Sequence, residues 1–300
     1  MTTGVAVGVD VGGTKIAAGV VDHDGRIVAR GRITTPTEAS AIPGAVAALV
    51  HEVAGGAGVD TVGVGAAGFI AADRRTVRFA PNIDWEDEPL AATLEPLVGA
   101  TVVVENDANA AAWGEFRFGA GRAHDDLLLV TVGTGVGGGI VSAGQLLRGA
   151  HGIAAEVGHL CLVPDGRACP CGQRGCLEQY ASGTALVRSA ARHSEPGTVV
   201  DGAEVTRRAA GGDAEAQQLL ADLGERLGRG IAALVAVLDP AVVVVGGGVG
   251  AAGDLLLEPV RRSLNAHVTG GRRRPVAEVL PAVLGNDAGL IGAADLGRAG

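Results

Sequence analysis

The feature that most restricts the possible folds of this chain is a short plan used twice. Val5 to Asp10 and Ile16 to Val21 alternate as strands around the turn Gly12-Gly13-Thr14-Lys15, and Asp24-Gly25 turns the chain toward a third strand. At mid-chain LLLVTV (127–132) enters Gly133-Thr134-Gly135-Val136-Gly137-Gly138-Gly139, and GIVSAGQLL (139–147) returns through a Ser-Ala-Gly turn. Two strand, glycine loop, strand units imply a duplicated domain with one phosphate-facing hairpin in each lobe. For either loop alone, a plain hairpin turn is the competing reading. A third cluster, Gly246-Gly247-Gly248, ends the strand AVVVVGGGV, and the three together favour a nucleotide held between lobes.

The rest of the pattern is α/β. Residues 41–58 read as a helix ending at glycine, 61–70 as a buried strand, and TVVVEND (101–107) as a strand that meets the helix NAAAWGEF (109–116). Helices follow at 183–193, 214–238 and 255–267. With 300 residues the chain has room for two lobes of ordinary size. Hydrophobic residues make up 47% but aromatics only 2%, so Val, Leu, Ile and Ala must fill the core. Fifty glycines without a collagen period imply tight turns and close backbone approaches.

Charge and flanking segments narrow the partners. A formal charge of −9 argues against nucleic acid as the main partner. The sequence opens without a basic stretch and apolar run, and the apolar stretch 231–245 is broken by Asp239-Pro240. The expectation is therefore a soluble, cytoplasmic protein that does not engage a membrane. In a reducing cytosol, three of the four cysteines packed into CPCGQRGC (169–176) read as metal ligands or redox groups rather than disulfides. A CxxC pair, the usual thiol-exchange arrangement, is absent.

Individual residues then acquire chemistry. Glycines in the first loop let amides approach an anion, Thr14 can donate a hydroxyl hydrogen bond, and Asp10 can hold hydrated Mg²⁺. Lys15 is the single lysine among 24 basic residues, and its compact ammonium suits a phosphate. Glu105-Asn106-Asp107-Ala108-Asn109-Ala110 stands where a strand gives way to a helix. One reading is a helix N-cap; the other is a carboxylate at a strand's carboxyl end that takes a proton from a substrate hydroxyl.

DVGGTK, ENDANAAAWGE, VTVGTGVGGGIV, GAHGIAAEVGHL and CPCGQRGCLEQYASG occur in the order and approximate spacing of the ROK (repressor, open reading frame, kinase) sugar kinases, which the chain resembles from Val5 to its last helix. The resemblance implies an actin-like, ribonuclease-H-like fold in two lobes around a cleft, and ATP-dependent phosphorylation of glucose at the 6-hydroxyl. It implies lobes at 1–118, completed by a terminal helix at about 287–300, and at 119–286, the second bearing a zinc loop at 159–176. Asp107 would be the general base. Asp10, Gly12, Gly13, Thr14, Thr134 and Gly135 would surround the phosphates and Mg²⁺, with Lys15 in the same motif and Gly247 near the nucleoside. Asn106, Asp107, Glu156, His159 and Glu178 would bind sugar hydroxyls, helped by Gly68 and Asn82. The stretch Gly65-Ala66-Ala67-Gly68 lacks a proline that many relatives carry, which weakens the Gly68 assignment.

His159, Cys169, Cys171 and Cys176, spaced H-x9-C-x-C-x4-C, supply one imidazole and three thiolates for structural Zn²⁺. An all-cysteine site that uses Cys161 in place of His159 is the local rival. The family also includes repressors, which carry a helix-turn-helix segment before the phosphate loop; here that loop begins within ten residues of Met1. Other readings are a kinase for fructose or N-acetylmannosamine, a polyphosphate-using enzyme, or a noncatalytic sugar-responsive regulator. A homodimer or homotetramer is the assembly the resemblance implies.

Overall fold

The computed structural model describes residues 4–192 and 201–299; residues 1–3, His193 of the expected 183–193 helix and Gly300 of the expected terminal helix lie outside them. The first half opens with β1 (Val5–Val11), β2 (Lys15–Val21) and β3 (Ile27–Thr34), followed by α1 (Ile42–Ala54) and β4 (Val59–Ala66). A small antiparallel sheet follows, made of β5 (Phe69–Ile70), β6 (Val77–Ala80) and β7 (Trp85–Glu88). Then come α2 (Leu90–Val98), β8 (Thr101–Asn106) and α3 (Asp107–Phe118).

The second half repeats the plan with β9 (Leu127–Val132), β10 (Val136–Ser142) and β11 (Gln145–Leu146). Its helices are α4 (Glu178–Ala181), α5 (Gly183–Ala190), α6 (Gly202–Ala210) and the long α7 (Ala214–Leu238). After β12 (Val242–Gly246) come α8 (Gly247–Gly250), α9 (Asp254–His267), β13 (Glu278–Pro281) and α10 (Ala288–Arg298). Among the described residues, no helix is long and apolar enough to cross a membrane.

The implied duplication appears in strand order. The first sheet runs β3-β2-β1-β4-β8 and the second β11-β10-β9-β12-β13. In both, the three strands of the meander pair antiparallel and the last two join in parallel. Each sheet has its own aliphatic core: Val7, Val64 and Leu94 in the first, Leu128, Leu220 and Val243 in the second. Each fully buried Val or Leu contributes roughly 1.5–3 kcal/mol relative to exposure, so aliphatic side chains supply most of the burial, with Trp85 a buried aromatic in the first core.

Helices α3 and α10 stand where the two halves meet. α10 packs on β1, β4 and α3, while α3 also packs on β9 and β10. Glycine makes this possible by close approach. A Cβ on Gly292 of α10 would lie 1.8 Å from the Ala110 carbonyl, and one on Gly63 of β4 would lie 1.7 Å from the Ala293 carbonyl. Many of the glycines are therefore helix-packing positions rather than turns.

Local rules set the element ends. α1 stops at Gly55, whose φ of 58° is left-handed. α7 starts under an Asp213 cap and ends at Asp239 before Pro240, so the apolar stretch 231–245 becomes part of a helix and a strand. Two expectations need correction. The stretch 61–70 is two strands, because at Gly68 the chain passes so near β6 that a Cβ would lie 2.3 Å from the Phe79 carbonyl. Gly137, Gly138 and Gly139 belong to β10, and only Gly133 to Gly135 form the loop. Cys161 makes a single antiparallel bridge to Cys176.

Candidate functional site

A cavity of about 590 Å³ opens between the halves, and Gly68, Asn106, Asp107, Glu156, His159 and Glu178 all line it. Asn106 is the N-cap of α3: its Oδ1 accepts the N–H groups of Ala108 at 2.9 Å and Asn109 at 3.0 Å, and its Nδ2 donates to the Gly68 carbonyl at 3.1 Å. The capping reading of this stretch is therefore correct for Asn106. It also gives Gly68 a place, as the backbone partner that fixes the cap.

Asp107 begins α3, and its Oδ1 accepts the N–H of its neighbour Ala108 at 2.8 Å. Protein surrounds most of the carboxylate while one side faces the cavity. Burial pushes its pKa up, and the backbone N–H groups pull partly against that. Glu156 is likewise raised, first by burial, with His159 opposing and the charges of Asp107 and Glu178 adding. Three carboxylates thus share one cavity without neutralising partners of equal number. Such a site is suited to polyhydroxyl recognition and to accepting a proton.

The phosphate-loop candidates lie alongside. Burial, then the charge of Asp107, raise Asp10 from the ordinary 3.8 to about 6, and Lys15 opposes them. Among the described residues Asp10 accepts no side-chain hydrogen bond, leaving both oxygens for a hydrated cation. Gly13, Thr14 and Lys15 are exposed, and Lys15 forms no ion pair with the described residues. On the second turn the N–H of Gly183 donates to the Gly133 carbonyl at 2.7 Å, and a Cβ on Gly135 would lie 2.9 Å from Glu178 Oε2. Gly247 opens α8 at φ 83°, where a Cβ would lie 2.5 Å from the Val132 carbonyl. Asn82 does not line the central cavity; it packs against Gly13 and faces a neighbouring hollow.

His159, Cys169, Cys171 and Cys176 present ligand atoms that all lie within 4.8 Å of one another. Cys171 and Cys176 Sγ are 3.7 Å apart, and Cys169 Sγ is 3.8 Å from His159 Nδ1. Tetrahedral Zn–S bonds of about 2.3 Å place sulfurs about 3.8 Å apart, so the set fits Zn²⁺. Backbone pairing builds the site, because bridges Cys161↔Cys176 and Ala168↔Arg174 fold the loop back on itself. Cys161 stands outside, its thiol 3.7 Å from the Arg174 carbonyl. His159 turns its other nitrogen toward Glu156, at 3.9 Å, and the Cys169 thiol donates to Glu178 Oε1 at 3.0 Å.

Four contributors went unread in the sequence. Phe69 and Phe79, from the small sheet, line the cavity although both are substantially exposed. Glu105 is buried and ion-paired with Arg148. A carboxylate directly after three strand valines was the available signal, since buried charge requires a partner; nothing local identified Arg148.

Two copies of one sheet topology around a carboxylate-floored cleft, with a glycine turn in each copy, define a class that comparison with known proteins specifies. The ROK family model matches residues 6–299. A glucokinase of Streptomyces coelicolor is 47% identical, with 98% of each chain covered. A glucokinase of Thermotoga maritima is 36% identical over 97% of this chain and 96% of its own. The crystal structure of a ROK family glucokinase from Streptomyces griseus in complex with glucose and AMPPNP is 49% identical, covers 99% of this chain and 100% of that one, and superposes with a TM-score of 0.90. The chain belongs to the ROK family and has the two-lobed actin-like fold of its sugar kinases.

Proposed function

We propose that this protein transfers the γ-phosphoryl group of ATP to the 6-hydroxyl of glucose. The observation that carries the reading is Asp107, held by backbone N–H at the start of α3 and facing a cavity shared with Glu156 and Glu178, in a chain 47% identical to a glucokinase. The sugar oxygen forms a bond to the γ-phosphorus as the bond to the β-phosphate oxygen breaks, and the hydroxyl proton passes to Asp107. Phosphoryl transfer needs positioning and charge stabilisation more than covalent help.

Asn106, Glu156, His159 and Glu178 orient the sugar hydroxyls, with Gly68 and Asn82 supporting from the adjoining backbone. The turns at Gly12, Gly13, Thr14 and Lys15 and at Thr134 and Gly135 face the phosphates, and Gly247 approaches the nucleoside. Asp10 would hold Mg²⁺, whose charge offsets that of the phosphates. His159, Cys169, Cys171 and Cys176 would hold Zn²⁺ as a structural cross-link between two sugar-side groups. In this reading residues 1–118 and 287–300 make one lobe, supported by the packing of α10 on β1 and β4, and residues 119–286 the other.

The test is a coupled phosphorylation assay over glucose, fructose, mannose and N-acetylmannosamine, with ATP and polyphosphate as donors, on wild type and Asp107→Asn. Glucose with ATP is expected to give the highest kcat/KM. The variant is expected to lose roughly 10²–10⁴-fold in kcat, the usual scale of general-base assistance, while retaining glucose affinity. Near-normal turnover by Asp107→Asn would remove it as the base.

A further inference from the structure

Glu105 is a buried carboxylate with no part in the chemistry above. It lies at the end of β8, 2% exposed, two residues before Asp107. Its Oε1 accepts from Asn109 Nδ2 and from the Asn106 backbone N–H, both at 3.1 Å, contacts that hold the first turn of α3 from behind. Its Oε2 accepts from Arg148 Nε at 2.6 Å, with Arg74 Nε at 3.9 Å.

Arg148 comes from the other half of the chain, two residues after β11. Its carbonyl accepts the Ala154 N–H at 3.0 Å, just before Ala155 and Glu156 reach the cavity. In the same loop, Gly152 packs so closely on β5 that a Cβ would lie 2.3 Å from the Ile70 carbonyl. One carboxylate therefore ties the segment that carries Asp107 to the segment that carries Glu156. Arg74, whose carbonyl accepts the Val104 N–H at 2.9 Å, adds the small sheet to the same junction.

A buried ion pair gives little net stability, because desolvation offsets most of the attraction, but its charge-assisted bonds are short and directional. We propose that Glu105 is a positioning residue, setting through Arg148 the placement of Asp107 relative to Glu156 and hence of the sugar hydroxyl relative to its base. The inference rests on the kinase reading for its consequence and on the ion pair for its geometry.

The experiment uses full-length Glu105→Gln, Arg148→Met and the double variant, measuring glucose phosphorylation, melting, and amide hydrogen exchange at Ala108 and Asn109. Each single change is expected to lower kcat about 10²-fold, the scale of a misplacement near 1 Å, leave KM for ATP unchanged, and speed exchange at both amides. In the double variant Tm should return toward wild type while kcat stays low, because the charges are gone but so is the tie. Recovery of kcat together with Tm, or wild-type kcat in either single variant, overturns the proposal. Should Glu105→Gln fail to fold, Arg148→Lys keeps the charge without the directed Nε contact and is expected to lose kcat at near-normal Tm. A wild type that does not phosphorylate glucose defeats the kinase reading instead; unchanged exchange in Arg148→Met then defeats the positioning role independently.

Discussion

In the first sheet the register pairs Asp10 with Ala17 and Val11 with Ile16; in the second it pairs Thr131 with Gly137 and Val132 with Val136. Val9-Asp10-Val11-Gly12 and Val130-Thr131-Val132-Gly133 therefore occupy matching places in two copies of one sheet. The surroundings differ. Where the first copy has a carboxylate raised to about 6 by burial and the neighbouring Asp107, the second has a hydroxyl. Both turns are braced by a threonine, Thr35 Oγ1 donating to the Gly12 carbonyl at 2.6 Å in the first and Thr184 Oγ1 to the Thr134 carbonyl at 2.7 Å in the second, but only the first carries an exposed charge, that of Lys15. Duplication set the strand register leading into both turns, while the first spans residues 12–15 and the second only 133–135, and the ionisable groups stand on the first of them.

The largest expected effect comes from removing that asymmetry. Asp10→Asn should lower kcat by on the order of 10²-fold or more, because a cation-holding charge is lost where phosphate charge is stabilised; Thr131→Val, at the matching position, should cost only a few-fold on the same argument. Stability moves the opposite way. The folded-state pKa of Asp10 lies above its ordinary value, so ionising it costs stability as pH rises from about 4 through about 6. Asp10→Asn should then be more stable than wild type above pH 6 in Mg²⁺-free buffer, by at most about 3 kcal/mol, with the difference vanishing below pH 4. Denaturant midpoints at pH 4 and pH 8 check the sign; equal midpoints at pH 8 would contradict it.

An intermediate effect should come from the cysteine loop, which the first half does not match. Cys171→Ser should lose the metal, lower Tm and weaken glucose binding together, since His159 belongs to the cluster and Glu178 follows Cys176 by two residues. Cys161→Ser should keep the metal, because its thiol faces the Arg174 carbonyl outside the cluster. Elemental analysis with glucose titration separates the outcomes. One zinc per chain and normal glucose affinity in Cys171→Ser would break the link between metal and sugar.

These contrasts also mark how far the sequence could be read. The meander strands, α7 and the α3 cap were legible because alternation, helical periodicity and an Asn at a strand end act locally. The clustering of His159, Cys169, Cys171 and Cys176 was legible because these residues are close in sequence. What escaped reading depends on distant partners. Gly63 and Gly292 look like turn residues until α10 lies against them, and Glu105 looks like a strand-end charge until Arg148 arrives from 43 residues away. The small sheet was missed because strands of two to four residues carry too little pattern, and with it went Phe69 and Phe79 at the cavity. Asn82 was tied to the sugar by motif, while its Cβ and carbonyl pack on Gly13 of the first turn.

The smallest expected effect sharpens the comparison at the turns themselves. Lys15 is exposed and forms no ion pair with the described residues, so its ammonium is available to a ligand that carries negative charge. Its influence already reaches Asp10, whose raised pKa it partly offsets. Removing one charge-assisted contact to phosphate corresponds to roughly tenfold in binding, so Lys15→Ala should raise KM for ATP by about that factor with glucose affinity unchanged. Thr134→Ala, on the neutral turn, should change KM less, because the backbone there is held by Thr184 and Gly183 independently of that side chain. Salt supplies a second readout. An exposed charge acts through a medium screened over about 10 Å at 0.1 M ionic strength, so KM for ATP should rise with salt more steeply in wild type than in Lys15→Ala. Parallel salt dependences with equal KM values would mean that the phosphate does not meet Lys15 and that both turns act through their backbone alone.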